Sequence, residues 1–238
     1  MSSLTFVLKG PLQSWGSSSR FVTRGTEQAP TKSGVIGLLA AAKGIRRTEP
    51  LTELLKLSFG VRIDQPGRLI RDFQVAKTQD GKSMPLSYRY YLGDAVFLAG
   101  VESKDDSLLE ELFKALSNPV FPLYLGRRSC PPAQPFEAKL HSETLAEVFK
   151  TVDWQASPWY QKKTATDLVD VDTLLDADPL EAGVDTFRDE PISFDPRRRE
   201  YGWRSVINST VRVRNMHYVP SPKPQRGLAI EHDPLLAF

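Results

Sequence analysis

Ala95-Val96-Phe97-Leu98-Ala99-Gly100-Val101 runs on into Asp105-Asp106-Ser107-Leu108-Leu109-Glu110-Glu111-Leu112-Phe113-Lys114-Ala115-Leu116. The first segment is a continuous apolar run of strand length. In the second, Leu108, Leu109, Leu112, Phe113 and Leu116 recur at helical spacing, while Glu110 and Lys114 sit four apart on the outer face. Asp105, Asp106 or Ser107 can cap this helix, and Asn118-Pro119 ends it. A strand feeding an amphipathic helix is one part of a split βαβ pattern, and its counterpart lies upstream. Leu4-Thr5-Phe6-Val7-Leu8 reads as a buried strand stopped by Gly10-Pro11. Val35, Leu38, Leu39 and Ala42 then follow i, i+3, i+4, i+7 spacing in a helix that opens near Thr31 to Ser33 and closes at Gly44. A further helical turn starts at Pro50 with Leu51, Leu54 and Leu55 on one face, and Phe59 to Asp64 is the next strand. Pro122 to Leu125 supplies a last short strand. The order β-α-β-β-α-β predicts an α+β fold with a ferredoxin-like arrangement, which RNA-recognition domains also use.

Between the second and third strands lies an insertion over residues 68–92. Arg71-Asp72-Phe73-Gln74-Val75-Ala76-Lys77 forms one arm, Asp80-Gly81 the turn, and Ser87-Tyr88-Arg89-Tyr90-Tyr91 the return. Its apolar side is thin and its residues mix basic with aromatic, so a projecting β-hairpin is expected, either gripping a partner or lying as an ordinary surface hairpin. Past residue 130 the periodicity loosens. His141 to Phe149 supports a short helix, Leu168, Val169 and Val171 mark a strand, and Val206 to Val213 alternate as another. These features divide the chain into a ferredoxin-like domain over 1–130, carrying the insertion, and a smaller irregular β-rich region over 131–238 packed on it.

The single cysteine, Cys130, rules out an internal disulfide, and the N-terminus shows no secretory leader, so a cytoplasmic protein is expected. The apolar stretch Val35 to Ile45 is too short for a membrane span. A net charge of +2 hides strong asymmetry. Residues 1–47 hold seven cations, among them Arg20, Arg24 and Lys32, against Glu27 alone, and residues 196–214 hold six arginines against Glu200. Residues 167–190 carry nine carboxylates and one arginine. Charge segregated in this way suggests that a polyanion meets the basic surfaces while the acidic stretch points elsewhere, or that solvated loops simply differ in sign.

Cys130 and the scattered His141, His217 and His232 offer no metal-ligand spacing, and nucleotide-loop and nucleophile-elbow motifs are missing. Gly34-Val35-Ile36-Gly37 is better explained by close helix packing than by a phosphate loop. Metal-free RNA cleavage would need a general acid, a general base and a cationic stabiliser, which His217-Tyr218 and the Lys82 to Tyr91 arm could supply, but the histidines sit far apart and no compact constellation emerges. Binding residues are easier to find. Gln13, Trp15 and Gly16 follow the first strand directly; the Trp15 ring either stacks on a base or fills the core. Thr31, Lys32 and Ser33 open a helix whose free N–H groups suit a phosphate, or act as an ordinary cap. Tyr124 precedes Gly126-Arg127-Arg128-Ser129, whose arginines can fork onto phosphate. Tyr201 and Arg204 close another basic-aromatic cluster behind Arg197 to Arg199. A surface that gathers Lys32, Arg127 and Arg128 around one strand is therefore expected.

Taken together, Leu8-Lys9-Gly10-Pro11-Leu12-Gln13-Ser14-Trp15-Gly16, Pro30-Thr31-Lys32-Ser33-Gly34-Val35-Ile36-Gly37-Leu38-Leu39, Phe59-Gly60-Val61-Arg62, Tyr124-Leu125-Gly126-Arg127-Arg128-Ser129-Cys130-Pro131-Pro132 and the segment from Asp189-Glu190-Pro191 to Arg204 closely resemble the CasD family. The resemblance spans most of the chain in the same order. It implies a non-catalytic subunit of the type I-E CRISPR complex Cascade that binds and caps the 5′ handle of the guide RNA (crRNA) in antiviral defence. It further implies that the hairpin is a thumb, with Arg71, Phe73, Lys77, Tyr88, Arg89 and Tyr90 facing the backbone subunit CasC. The large subunit CasA would dock on the same end, and target DNA would be met only through the complex. No cofactor or metal is implied. The counterpart in type I-C systems cleaves precursor RNA without metal, which is the alternative activity. The chain departs from the wider superfamily in lacking its multi-glycine loop and the aromatic RNP signature, so base-by-base recognition does not transfer.

Overall fold

The computed structural model describes residues 1–16 and 23–220; Arg20 and His232 lie outside the described residues. In chain order the elements are β1 (Ser2–Lys9), β2 (Leu12–Gln13), β3 (Thr23–Arg24), α1 (Lys32–Lys43), β4 (Ser58–Gln65), β5 (Arg68–Gln74), β6 (Ser87–Gly93), β7 (Val96–Ser103), α2 (Asp106–Ser117), β8 (Ala138–His141), α3 (Leu145–Thr151), α4 (Pro158–Lys163), β9 (Leu168–Asp176), β10 (Val184–Ser193) and β11 (Glu200–Arg214). The expected turn after Pro50 is a 3-10 turn over Leu54–Lys56. Both main helices form where capping chemistry permits. Thr31 accepts the Gly34 N–H and Gly44 closes α1, while the Asp105 carboxylate accepts the Ser107 and Leu108 N–H groups at the start of α2.

Seven strands form one antiparallel sheet in the order β10-β11-β9-β4-β7-β1-β8. On one face Leu4, Phe6 and Leu8 of β1 and Phe97, Ala99 and Val101 of β7 pack against Leu38 and Leu39 of α1 and Leu109 and Leu112 of α2. This is the main core. On the other face Val7, Leu98 and Leu175 meet Leu145 and Phe149 of α3. A second, smaller sheet has β6 at its centre, with β2, β3 and β5 paired to it. The β5–β6 hairpin is the expected insertion, and β5 is largely exposed. Among the described residues no helix is long and apolar enough to cross a membrane.

Three sequence-based expectations change. Pro122 to Leu125 is not a strand. Leu123 and Leu125 are buried at a period of two, which mimics one, but the backbone there closes a loop instead, Leu125 N–H donating to the Cys130 carbonyl at 2.7 Å. The strand beside β1 is β8, with Ser3 opposite His141 and Phe6 opposite Ala138. Residues after 130 also continue the sheet rather than covering it, because β8 pairs with β1 and β9 with β4. Finally, the opposed charges meet. β9 and β11 are neighbours, so Arg212 bridges Asp170 at 2.7 Å and Arg214 approaches Asp167 at 3.6 Å. The acidic stretch neutralises the basic one instead of pointing away from it.

Arg62 and Asp64 of β4 form a fully buried ion pair at 2.6 Å. The same guanidinium donates to the carbonyls of Phe149, Val152 and Asp153, and Asp64 accepts the Gln155 N–H. Residues 149–155 are thereby tied to the sheet. Burial pushes the Asp64 carboxyl above its ordinary range, against the opposing pull of Arg62 and the Gln155 N–H.

Candidate nucleic-acid interface

The amino end of α1 does hold an anion, but an internal one. The Lys32 N–H donates to the Asp189 carboxylate at 2.8 Å. The Lys32 ammonium meets Asp176 at 2.9 Å and Glu190 at 2.7 Å, and its side chain is 7% exposed. Arg204 completes the cluster, bonded to Asp176 and to Asp189 at 2.6 Å each and lying over the Phe59 ring. Burial pushes the Glu190 carboxyl up, opposed by Lys32 and reinforced by the charge of Asp176. On Arg204 burial pulls downward, but the Asp189 and Asp176 carboxylates outweigh it, so the guanidinium is held above its ordinary value. Thr31, Lys32, Ser33 and Arg204 are all buried. The expectation that they contact an outside phosphate is therefore corrected: β10 delivers a carboxylate to the seat that a phosphate would occupy.

Gln13 and Trp15 are likewise interior, each 0% exposed. The Trp15 indole N–H donates to the Gln13 amide oxygen at 3.0 Å, and the Gln13 amide donates to the carbonyls of Leu8 and Ala95. Gly34 lies against the ring, where a Cβ would come within 2.8 Å of Cε3. Filling the core is thus the role of Trp15; base stacking is excluded by its burial. Gly34 finds its explanation in this close approach, whereas a Cβ on Gly37 would make only ordinary contact with Phe194 at 3.6 Å.

This brace supports the loop carrying the paired arginines. The Ser14 N–H donates to the Leu125 carbonyl at 3.0 Å, and the Cys130 N–H to that of Arg127. At Gly126 φ is +86°, and a Cβ would stand 1.8 Å from the Ser14 carbonyl oxygen, so only glycine fits. Arg128 and Ser129 are exposed and Arg127 half-buried on top of this loop. Arg127 donates through Nη2 to the carbonyls of Arg24 and Gly25, and its guanidinium lies 4.9 Å from the Tyr91 ring centre. Arg24 is paired in register with Arg89 of β6. Arg24, Arg89, Arg127 and Arg128 therefore converge at the hairpin base, and among the described residues none of them forms an ion pair with a carboxylate. Burial alone would push the Tyr91 phenol up. Hydrogen bonding with Ser129, Arg127 and Arg89 and the charge of Arg127 outweigh that, leaving it below the ordinary phenol range.

The remaining candidates lie around this cluster or apart from it. Gly16 is exposed and Tyr124 half-buried. Tyr201 packs against Phe194 on β11, on the strand that carries the internal cluster. Along the hairpin, alternation puts Arg71, Phe73, Tyr88 and Tyr90 on one face, with the Arg71 guanidinium over the Tyr88 ring and Phe73 66% exposed; Lys77 lies near the tip, bridged to Ser83. Arg89 points to the other face with Tyr91. Sequence reading missed Tyr91 as part of the site; its place two residues after Arg89, on the same strand face, was the available signal. His141 on β8 shares a 2.8 Å hydrogen bond with Thr5, and burial followed by the charge of Lys139 pulls its pKa down. His217 follows β11.

A family model described as CRISPR-associated protein (Cas_Cas5) matches residues 3–207. The Cascade subunit CasD of Escherichia coli (strain K12) is 34% identical over 156 residues, covering 56% of this chain and 69% of that protein. Among solved structures, a chain of a CRISPR RNA-guided surveillance complex superposes with TM-score 0.72 at 27% identity, over 93% of this chain and 95% of that one. A crystal structure of a Cas protein matches with TM-score 0.66 and 35% identity, over 92% and 99%.

Proposed function

Because the chain belongs to the Cas5 family of CRISPR-associated proteins, we propose that it is a non-catalytic Cascade subunit that holds and caps the 5′ handle of crRNA. The observation that carries this reading is the group of arginines at the hairpin base, Arg24, Arg89, Arg127 and Arg128. Among the described residues they are left without carboxylate partners, in a fold that pairs its buried cations. A phosphate backbone supplies the missing charge. Arg24, Arg128 and Ser129 contact the strand, with Gly16 and Tyr124 beside them. The β8-β1-β7-β4 strands with α1 and α2 act as a ferredoxin-like RNA-binding unit, built from residues 1–130 with β8 added from beyond them. The hairpin face bearing Arg71, Phe73, Tyr88 and Tyr90, together with Lys77, is the thumb that engages the CasC backbone subunit, and CasA docks at the same end. The assembly works in the cytoplasm, where it meets target DNA as a whole.

The test is the salt dependence of handle-RNA binding. Arg24→Ala with Arg128→Ala is expected to weaken binding and to lower the slope of log K against log salt by about 0.7 for each phosphate no longer neutralised. An unchanged slope in a folded double variant sinks the placement. Specific RNA cleavage in chelator that disappears in His141→Ala or His217→Ala overturns the non-catalytic part.

A further inference from the structure

Building on the reading of the hairpin base as an RNA site, we infer that Arg89 and Arg127, with Tyr91 and Ser129, form a seat for one phosphodiester group. Two guanidinium nitrogens there, Arg89 Nε and Arg127 Nη1, are buried and make no hydrogen bond. Buried N–H donors left unpaired are costly, more so on a charged group, and a fold retains them where a ligand completes them. Elsewhere among the described residues the buried cations find partners, and the other unpartnered buried atom, the Gln161 amide oxygen, carries no charge. Arg62 has Asp64 and three carbonyls, and Lys32 and Arg204 share Asp176, Asp189 and Glu190. At the hairpin base two like charges converge on the Tyr91 hydroxyl, and among the described residues neither guanidinium forms an ion pair, although Asp72 lies opposite Arg89 in register.

The geometry selects the ligand. Arg127 is held as a fork whose Nη2 is spent on the carbonyls of Arg24 and Gly25, leaving Nη1 as its spare donor. Arg89 enters from β6, held in register by β3 and β5 on its two sides. Ser129 adds a hydroxyl. One spare nitrogen from each guanidinium, arriving from separate elements, suits a tetrahedral anion with several oxygens, which charge-assisted hydrogen bonds would hold. Arg128, exposed beside the seat, is placed for the next phosphate along the strand. This reassigns Arg89 from the partner-facing side of the hairpin to the nucleic acid, and makes phosphate binding the step that locks the hairpin to the 125–130 loop.

Handle RNAs carrying a single neutral methylphosphonate linkage, moved one position at a time, test the seat. Neutralising one particular linkage is expected to weaken wild-type binding about tenfold, the size of one charge-assisted hydrogen bond. Arg89→Gln should lose about the same and become insensitive to that linkage. Tyr91→Phe serves as a second variant should Arg89→Gln not fold. Wild-type binding with no sensitive linkage, or losses that simply add in Arg89→Gln, overturns the seat and leaves the Cascade reading standing. Should wild type bind no RNA, that reading fails instead, and inorganic phosphate at constant ionic strength decides the seat. A rise in Tm confined to wild type supports it; an equal rise in Arg89→Gln, or an equal rise with acetate, overturns it.

Discussion

Arg62→Met removes a guanidinium that is fully buried and bonded to Asp64 through two nitrogens and to the carbonyls of Phe149, Val152 and Asp153. Methionine fills much of the volume, so the cost arises from the orphaned groups. Breaking a buried ion pair from one side costs about 3–5 kcal/mol, because the surviving charge keeps its desolvation penalty and loses its partner. For a chain of this length that corresponds to a fall in Tm of about 6–20 °C. The loss should depend on pH in a defined direction. Burial already raises the Asp64 carboxyl in the wild type, so its folded form holds the proton more tightly than the unfolded chain does. Its contribution to stability is therefore full below the ordinary carboxylate range and declines as pH rises through its folded-state pKa. Without Arg62 that pKa rises further, and the gap between variant and wild type widens as pH rises above the ordinary carboxylate range. Urea unfolding followed by circular dichroism at several pH values measures it. Arg62→Met with Asp64→Asn keeps an acceptor for the Gln155 N–H while removing the charge, and should recover part of the neutral-pH loss. A destabilisation under about 1 kcal/mol at neutral pH, or one that does not vary with pH, refutes the view that an uncompensated buried carboxylate dominates.

Trp15→Ala is expected to cost about 3–5 kcal/mol of folding stability, since it empties a fully buried aromatic site; a stable variant with selectively weakened RNA binding contradicts the core role. Gly126→Ala should lower Tm and loosen the 125–130 loop, because its Cβ collides with the Ser14 carbonyl at a left-handed φ; an unshifted Tm by calorimetry rules out that collision.

Elements governed by local chemistry were legible. Thr31 and Gly44 bound α1, Asp105 caps α2, and the hairpin turns at Asp80-Gly81, all set by neighbours within a few residues. Non-local pairing was less legible. Leu123 and Leu125 carry a strand-like pattern, yet the edge position beside β1 went to β8, because a period-two pattern does not name its partner. For the site, Arg127 and Arg128 were found from their loop motif, while Tyr91 was not, since its role depends on the opposing loop and β3.

By itself the sequence determined the order of the longer strands and helices up to α2, without the two-residue β2 and β3, together with the inserted hairpin and the family resemblance, because caps, turns and periodicity are short-range properties. Only the tertiary structure decided which cations are available to a ligand. Lys32 and Arg204 look as free in the sequence as Arg127 and Arg128, and β9 and β10 carry the carboxylates that consume them. Whether a charge is spent or exposed is a matter of what lies across the sheet, and register, not spacing along the chain, sets that.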